Sequence, residues 1–180
     1  MNQIILKALS TKLRIASSPF QAVCDSLLNL AVSICEVELA ILSLKDTESH
    51  LFVSTLGIEG LNEVALEDSI CTIADANCIV EVEDAGANPR LKDNPYVTGE
   101  PYIRFYAGVP VCLPTGEQLG TICVFDNVPR ILQPCRANVL VNIAKIFFDV
   151  LIAQDFVLKQ ITKYEKLRTS EINEHSEIFS

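Results

Sequence analysis

The chain has 180 residues, 49% of them apolar and 21% charged, and 23 acidic against 14 basic side chains leave a formal net charge of −9. That length is one domain with room for an appendage, able to bury roughly 70% of its unfolded surface without disulfides or metals. The composition excludes wholesale disorder, and the acidic balance argues against a nucleic-acid or anionic-membrane surface, because both need basic side chains to displace counterions. A mean hydropathy of +0.32 is high for a monomer without a membrane span, so an oligomer interface is the first place for the apolar excess.

Residues 3–16 carry Ile4, Ile5, Ala8, Leu9, Leu13 and Ala16 at helical spacing, which predicts an N-terminal helix over residues 1–17. Lys7, Lys12 and Arg14 are scattered through it, so it does not have the order of a signal peptide. Ser18-Pro19 opens a second helix, with Phe20, Val23, Leu27, Leu28, Ala31 and Ile34 as its buried stripe. Residues 37–45 and 50–56 flank Asp46-Thr47-Glu48-Ser49 and read as a hairpin. Residues 57–68 read as a linker with one helical turn, and 69–77 as a short helix.

Ile79 to Glu83 alternates as a half-exposed strand. Asp84 to Pro101 is a loop rich in Asn, Asp, Gly and Pro, and a loop of that length is usually functional. Its Asp84, Asn88, Asp93 and Asn94 suit backbone capping better than metal binding. Residues 102–113 and 118–125 form a second hairpin, and Pro134 opens a helix to about Arg168, followed by a polar, frayed tail. Hairpins pair antiparallel, so the fold class is α+β with a mostly antiparallel sheet.

Alternation in 102–113 puts Ile103, Phe105, Ala107, Val109 and Val111 on a core face, and Tyr102, Arg104, Tyr106 and Gly108 on a more polar one. The last helix has two apolar stripes, one through Val139, Ile143, Ile146 and Val150, the other through Leu140, Ala144, Phe147 and Leu151. One stripe suffices for packing on a sheet. The second pairs with another copy of the chain or lies under the N-terminal helix. Beyond Ala153, the residues Phe156, Val157, Leu158, Ile161, Tyr164 and Leu167 would be exposed in a monomer, which predicts a homodimer through the terminal helices.

The seven cysteines (24, 35, 71, 78, 112, 123 and 135) include no C-x-x-C pair and sit mostly in apolar runs, as expected of reduced thiols in a cytoplasmic protein. The two histidines, His50 and His175, are distant from every cysteine in sequence, so no thiol–base pair is visible. No clustered metal ligands and no glycine-rich phosphate loop occur.

An ordered series of words, Ser69-Ile70-Cys71, Val82-Glu83-Asp84-Ala85, Asn88-Pro89-Arg90-Leu91, Asp93-Asn94-Pro95-Tyr96-Val97, Pro101 to Val111, Leu119 to Asp126 and Pro129-Arg130, resembles the GAF domain family. It resembles in particular the GAF domains of bacterial histidine kinases and diguanylate cyclases, over about residues 18–153. The resemblance implies a five- or six-stranded antiparallel sheet. It implies a helix bundle on one face of that sheet, and short helices and loops over a ligand pocket on the other. It implies a sensory or regulatory, non-enzymatic domain that binds an unidentified small molecule and signals through dimeric terminal helices to an output domain or partner, with residues 154–180 as a helical extension and polar tail.

No Cys-His pair or Asp-Ile-Pro marks bilin binding, no Asn-Lys-Phe-Asp-Glu marks cyclic-nucleotide binding, and no haem or metal signature occurs. Free methionine-R-sulfoxide reductase, the enzymatic exception, needs a cysteine between Cys78 and Cys112, where this chain has none. A thiol enzyme of that kind and a dimerisation module without ligand are the alternatives. In the family fold the expected cavity is bounded by Ser69, Cys71, Asp84, Tyr102, Arg104, Tyr106 and Cys123. Arg104 holds an anionic or polar ligand there, or pairs with Asp84 to pin the loop.

Overall fold

The computed structural model describes residues 18–58, 60–74 and 78–178. The predicted N-terminal helix lies outside them. The chain divides into two compact units, one ending at Phe148 and one beginning at Asp149.

In the first unit, α1 (Ser18–Cys35) leads into β1 (Leu39–Lys45) and β2 (Ser49–Leu56). β3 (Glu63–Ala65), the 3-10 helix η1 (Ile70–Ile73) and β4 (Val80–Val82) follow, then α2 (Pro95–Thr98), β5 (Phe105–Cys112) and β6 (Gln118–Asp126). Helix α3 (Pro134–Ile178) starts in this unit. The strands form one six-stranded sheet in the order β3-β2-β1-β6-β5-β4, with every pairing antiparallel. This is the expected α+β class. Two elements were not legible in sequence: β3, in what reads as a linker, and α2, inside what reads as a structureless loop.

The stripe of α1 is Phe20, Cys24, Leu27, Leu28, Ala31 and Cys35, all buried, whereas Val23 is 39% exposed. Cys24 and Cys35 thus take the places that the sequence reading gave to Val23 and Ile34. In the first unit α3 buries Leu140, Ile143, Ala144 and Phe147, a single i, i+3, i+4, i+7 stripe. Arg136 of α3 donates to the Cys35 carbonyl at 3.2 Å and pairs with Glu36 at 2.7 Å, holding the Glu36 carboxyl below its usual range.

A bulge between β1 and β2 sets the two faces of the sheet. Ser43 pairs with Phe52, but Leu42 pairs with Ser54, so Phe52 and Ser54 point to opposite sides despite their even spacing. Ser54 donates to Asp25 of α1 at 2.5 Å, while Phe52 joins the core on the other face. On that other face, register aligns two rows. Ile41, Cys123, Gly108 and Val80 form one, and Leu39, Phe125, Tyr106 and Val82 the next.

Helix α3 runs past the expected end at Arg168 to Ile178. Thr169 to Ile178 contains neither Gly nor Pro, so nothing in it breaks the helix. In the second unit Phe156, Val157, Ile161 and Tyr164 are 48–74% exposed. The side chains of Leu158 and Leu167 lie outside the described residues. None of the described helices is long and apolar enough to cross a membrane.

Candidate functional site: an apolar cavity over the sheet

The chain covers one sheet face with η1 and with the segment between β4 and β5. Three Asx turns shape that segment. Asp84 Oδ1 accepts from Gly86 N–H, Asn88 Oδ1 from Arg90 N–H and Asn94 Oδ1 from Tyr96 N–H, each at 2.9 Å. Asn94 Nδ2 also donates to the Asp68 carbonyl at 2.7 Å, which ties the segment to the approach to η1. At its end, the Arg104 N–H donates to the Asp126 carbonyl at 2.8 Å, and the Arg104 carbonyl accepts from Ala85 N–H at 2.5 Å. Asp126 in turn takes Arg130 Nε at 2.6 Å, so the Asp126 and Arg130 of the family words hold the turn after β6.

Beneath this cover lies a cavity of about 40 Å³ whose lining includes Ile41, Phe52, Ser69, Cys71, Tyr96, Ile103 and Phe125, together with Ile58, Leu61, Val64, Ile70 and Pro101. That is far below the ~300–1,000 Å³ of pockets for drug-sized ligands. A larger groove of about 270 Å³ runs between α1 and β2 past Gln21, Asp25, Ser54 and Asn62. It is open and polar, and its Asp25 carboxylate already takes Gln21 Nε2 and Ser54 Oγ.

Four of the seven expected site residues come together. Ser69 and Cys71 line the cavity, and Tyr106 and Cys123 belong to the same buried core. Cys71 Sγ lies 3.1 Å from Cys123 Sγ, and Tyr106 Oη lies 3.5 Å from Cys123 Sγ. The Tyr106 ring packs on Phe125 at 5.4 Å between centroids. It lies over Gly108, where a Cβ would fall 2.0 Å from the phenol oxygen. Burial, then the neighbouring Cys123 and Cys71, pushes the Tyr106 phenol well above its ordinary range. Burial, then the hydrogen bond with Cys71, does the same to the Cys123 thiol. Both groups are therefore neutral at physiological pH.

The other three stand apart from the cavity. Tyr102 is 50% exposed, with φ +57°. Arg104 Nη1 donates to the carbonyls of Val97, Ile103 and Tyr102 at 2.9, 3.0 and 3.2 Å. Asp84 and Arg104 both flank Gly86, but the Asp84 carboxylate takes the Gly86 N–H and the guanidinium takes carbonyls. They are near each other, as expected, without pairing. The expected shared face is corrected too. β5 begins only at Phe105, so strand alternation does not reach Tyr102 or Arg104, and Ile103 joins the core beside Tyr106.

His50 was not among the expected residues. It shares a face with Phe52, is 1% exposed, and its Nδ1 lies 2.6 Å from Ser69 Oγ. Burial, helped by the Lys45 cation, lowers its pKa to about 4, so the ring is neutral. Its Nε2 is buried without a partner among the described residues. The available signal was its even spacing from Phe52 in a strand.

The chain thus folds as a six-stranded antiparallel sheet with helices packed on one face and short helices and loops over the other. The GAF domain model matches residues 19–145, and the chain belongs to the GAF family, which is commonly sensory. Over 107 residues it is 38% identical to a cyclic di-GMP phosphodiesterase of Pseudomonas aeruginosa. That match covers 59% of this chain and 18% of the relative. The GAF domain of an Acinetobacter phosphoenolpyruvate-protein phosphotransferase superposes with a TM-score of 0.63 at 18% identity, covering 88% of this chain and 99% of that one. The type II free methionine-R-sulfoxide reductase of Thermoplasma acidophilum gives 0.60 at 20% identity, covering 79% and 94%. At such identities the structural matches establish the fold alone.

Proposed function

We propose that this GAF domain is a non-enzymatic sensor whose ligand is a small, neutral, largely apolar molecule held between η1, α2 and the sheet. The observation that carries the reading is the lining of the cavity, where aliphatic and aromatic side chains surround the two polar groups Ser69 and Tyr96. An anion there would lose its hydration without gaining a cation, because Arg104 does not line the cavity and its guanidinium already donates to the carbonyls of Val97, Tyr102 and Ile103. The ligand therefore differs in class from the small polar or anionic one that the sequence reading placed on Arg104. The small volume calls for a ligand of few atoms or for outward movement of the cover.

The non-enzymatic reading is supported by the buried, protonated state of Cys123 and by His50 Nδ1 facing Ser69 rather than a thiol. The exposed Phe156, Val157, Ile161 and Tyr164 support a homodimer through α3 as the signalling form. Native mass spectrometry of protein purified from its host tests the reading. A co-purifying small neutral molecule on a dimer is expected. Turnover of free methionine sulfoxide with a thiol reductant would overturn the non-enzymatic part.

A further inference from the structure

We propose that Cys71 and Cys123 form a redox-closing thiol pair, which a hydroperoxide converts to an intramolecular disulfide between η1 and β6. The two sulfurs stand 3.1 Å apart although 52 residues separate them in sequence. They belong to different layers, one in the cover and one in the central part of the sheet. A bond of about 2.05 Å needs an approach of only about 1 Å. Their environments differ in a way that assigns the roles. Cys71 lines the cavity, whereas Cys123 is fully buried beneath it and does not. A hydroperoxide is small and uncharged, as the apolar cavity requires, so it meets Cys71 first.

The Cys71 sulfur attacks the O–O bond, giving a sulfenic acid and releasing one water or alcohol. The Cys123 sulfur then attacks the oxidised sulfur, its proton leaves with the hydroxide, and a second water forms. In sum, two thiols and one hydrogen peroxide give one disulfide and two waters, and the peroxide is the only oxidant required. Burial holds the Cys123 thiol above its ordinary range, which slows the second step. The bond would fix η1 onto the sheet and shut the cover over the cavity. None of this depends on the nature of the ligand.

The test uses the full chain. Wild-type protein is treated with hydrogen peroxide, unfolded in iodoacetamide, digested and mapped by mass spectrometry. The expected product is a linked peptide joining Cys71 to Cys123, lighter by two hydrogens and reversed by dithiothreitol. It persists when the exposed Cys78 and Cys135 are replaced in a Cys78→Ser, Cys135→Ser variant. Recovery of both Cys71 and Cys123 as alkylated thiols, while Cys78 and Cys135 are oxidised, would overturn the proposal. So would linkage of Cys71 to any other cysteine, or oxidation of Cys71 that stops at the sulfinic acid.

Discussion

Replacing Gly108 with alanine tests whether the buried Tyr106 ring lies over the sheet at Gly108. The new methyl would stand 2.0 Å from Tyr106 Oη and 2.5 Å from Cζ. The obstacle is a side chain rather than backbone, so the ring can in principle swing away. It is fully buried, however, packed on Phe125 and within reach of Cys123. Moving it imposes overpacking of about 1–3 kcal/mol and disturbs an aromatic pair of about 0.5–1.5 kcal/mol. A loss of about 2 kcal/mol is expected, a fall in Tm of about 4–8 °C for a chain of this size. Urea unfolding followed by circular dichroism measures it. Tyr106→Phe leaves the Cζ clash in place and should not rescue Gly108→Ala, whereas Tyr106→Leu, which removes the ring, should make the alanine nearly neutral. A Gly108→Ala protein as stable as wild type would refute this placement of the ring.

Arg104→Ala should lower stability by about 1–3 kcal/mol, because the carbonyls of Val97 and Ile103 lose a charged donor. Since Arg104 and Asp84 do not pair, a double-mutant cycle with Asp84→Ala should give coupling below about 0.5 kcal/mol, and a larger value would restore the ion pair read from sequence. His50 makes stability depend on pH. The unfolded ring binds a proton near pH 6.5 and the folded ring only near about 4, so stability is full above 6.5 and declines across that window. The decline amounts to at most about 3.5 kcal/mol at ~1.4 kcal/mol per unit, and His50→Gln should flatten the denaturation curve there. For the dimer, sedimentation velocity on a chain cut after Ala153 should report a monomer; a tight dimer would place the interface elsewhere.

The parts of this fold that were legible in sequence are those with a strong period. The α1 stripe, both hairpins and the start of α3 at Pro134 stand out because apolar spacing and Gly, Pro or Asp punctuation agree. β3 was hidden because a three-residue strand has no period to show, and α2 because one helical turn looks like the loop around it. Among the site residues, Tyr106 and Cys123 are neighbours because register places Cys123 opposite Gly108 and Tyr106 opposite Phe125, and η1 brings Cys71 onto Cys123. Arg104 was misread because strand alternation was carried back past Phe105, into a segment where the chain uses the guanidinium to tie its own carbonyls. The bulge at Val53, which decides what Phe52 and Ser54 face, leaves no mark in composition.

The proposed preference of the pocket for neutral, apolar ligands is tested most directly by amide chemical-shift mapping of the wild-type protein. The titrants are two matched series of small probes, neutral hydrocarbons and alcohols against carboxylates and phosphates. The neutral series should shift the amides of Ser69, Cys71, Ile103 and Phe125 in a saturable way, and the anions should leave them in place. Saturable anion binding centred on Arg104, with no response to the neutral series, would contradict the assignment.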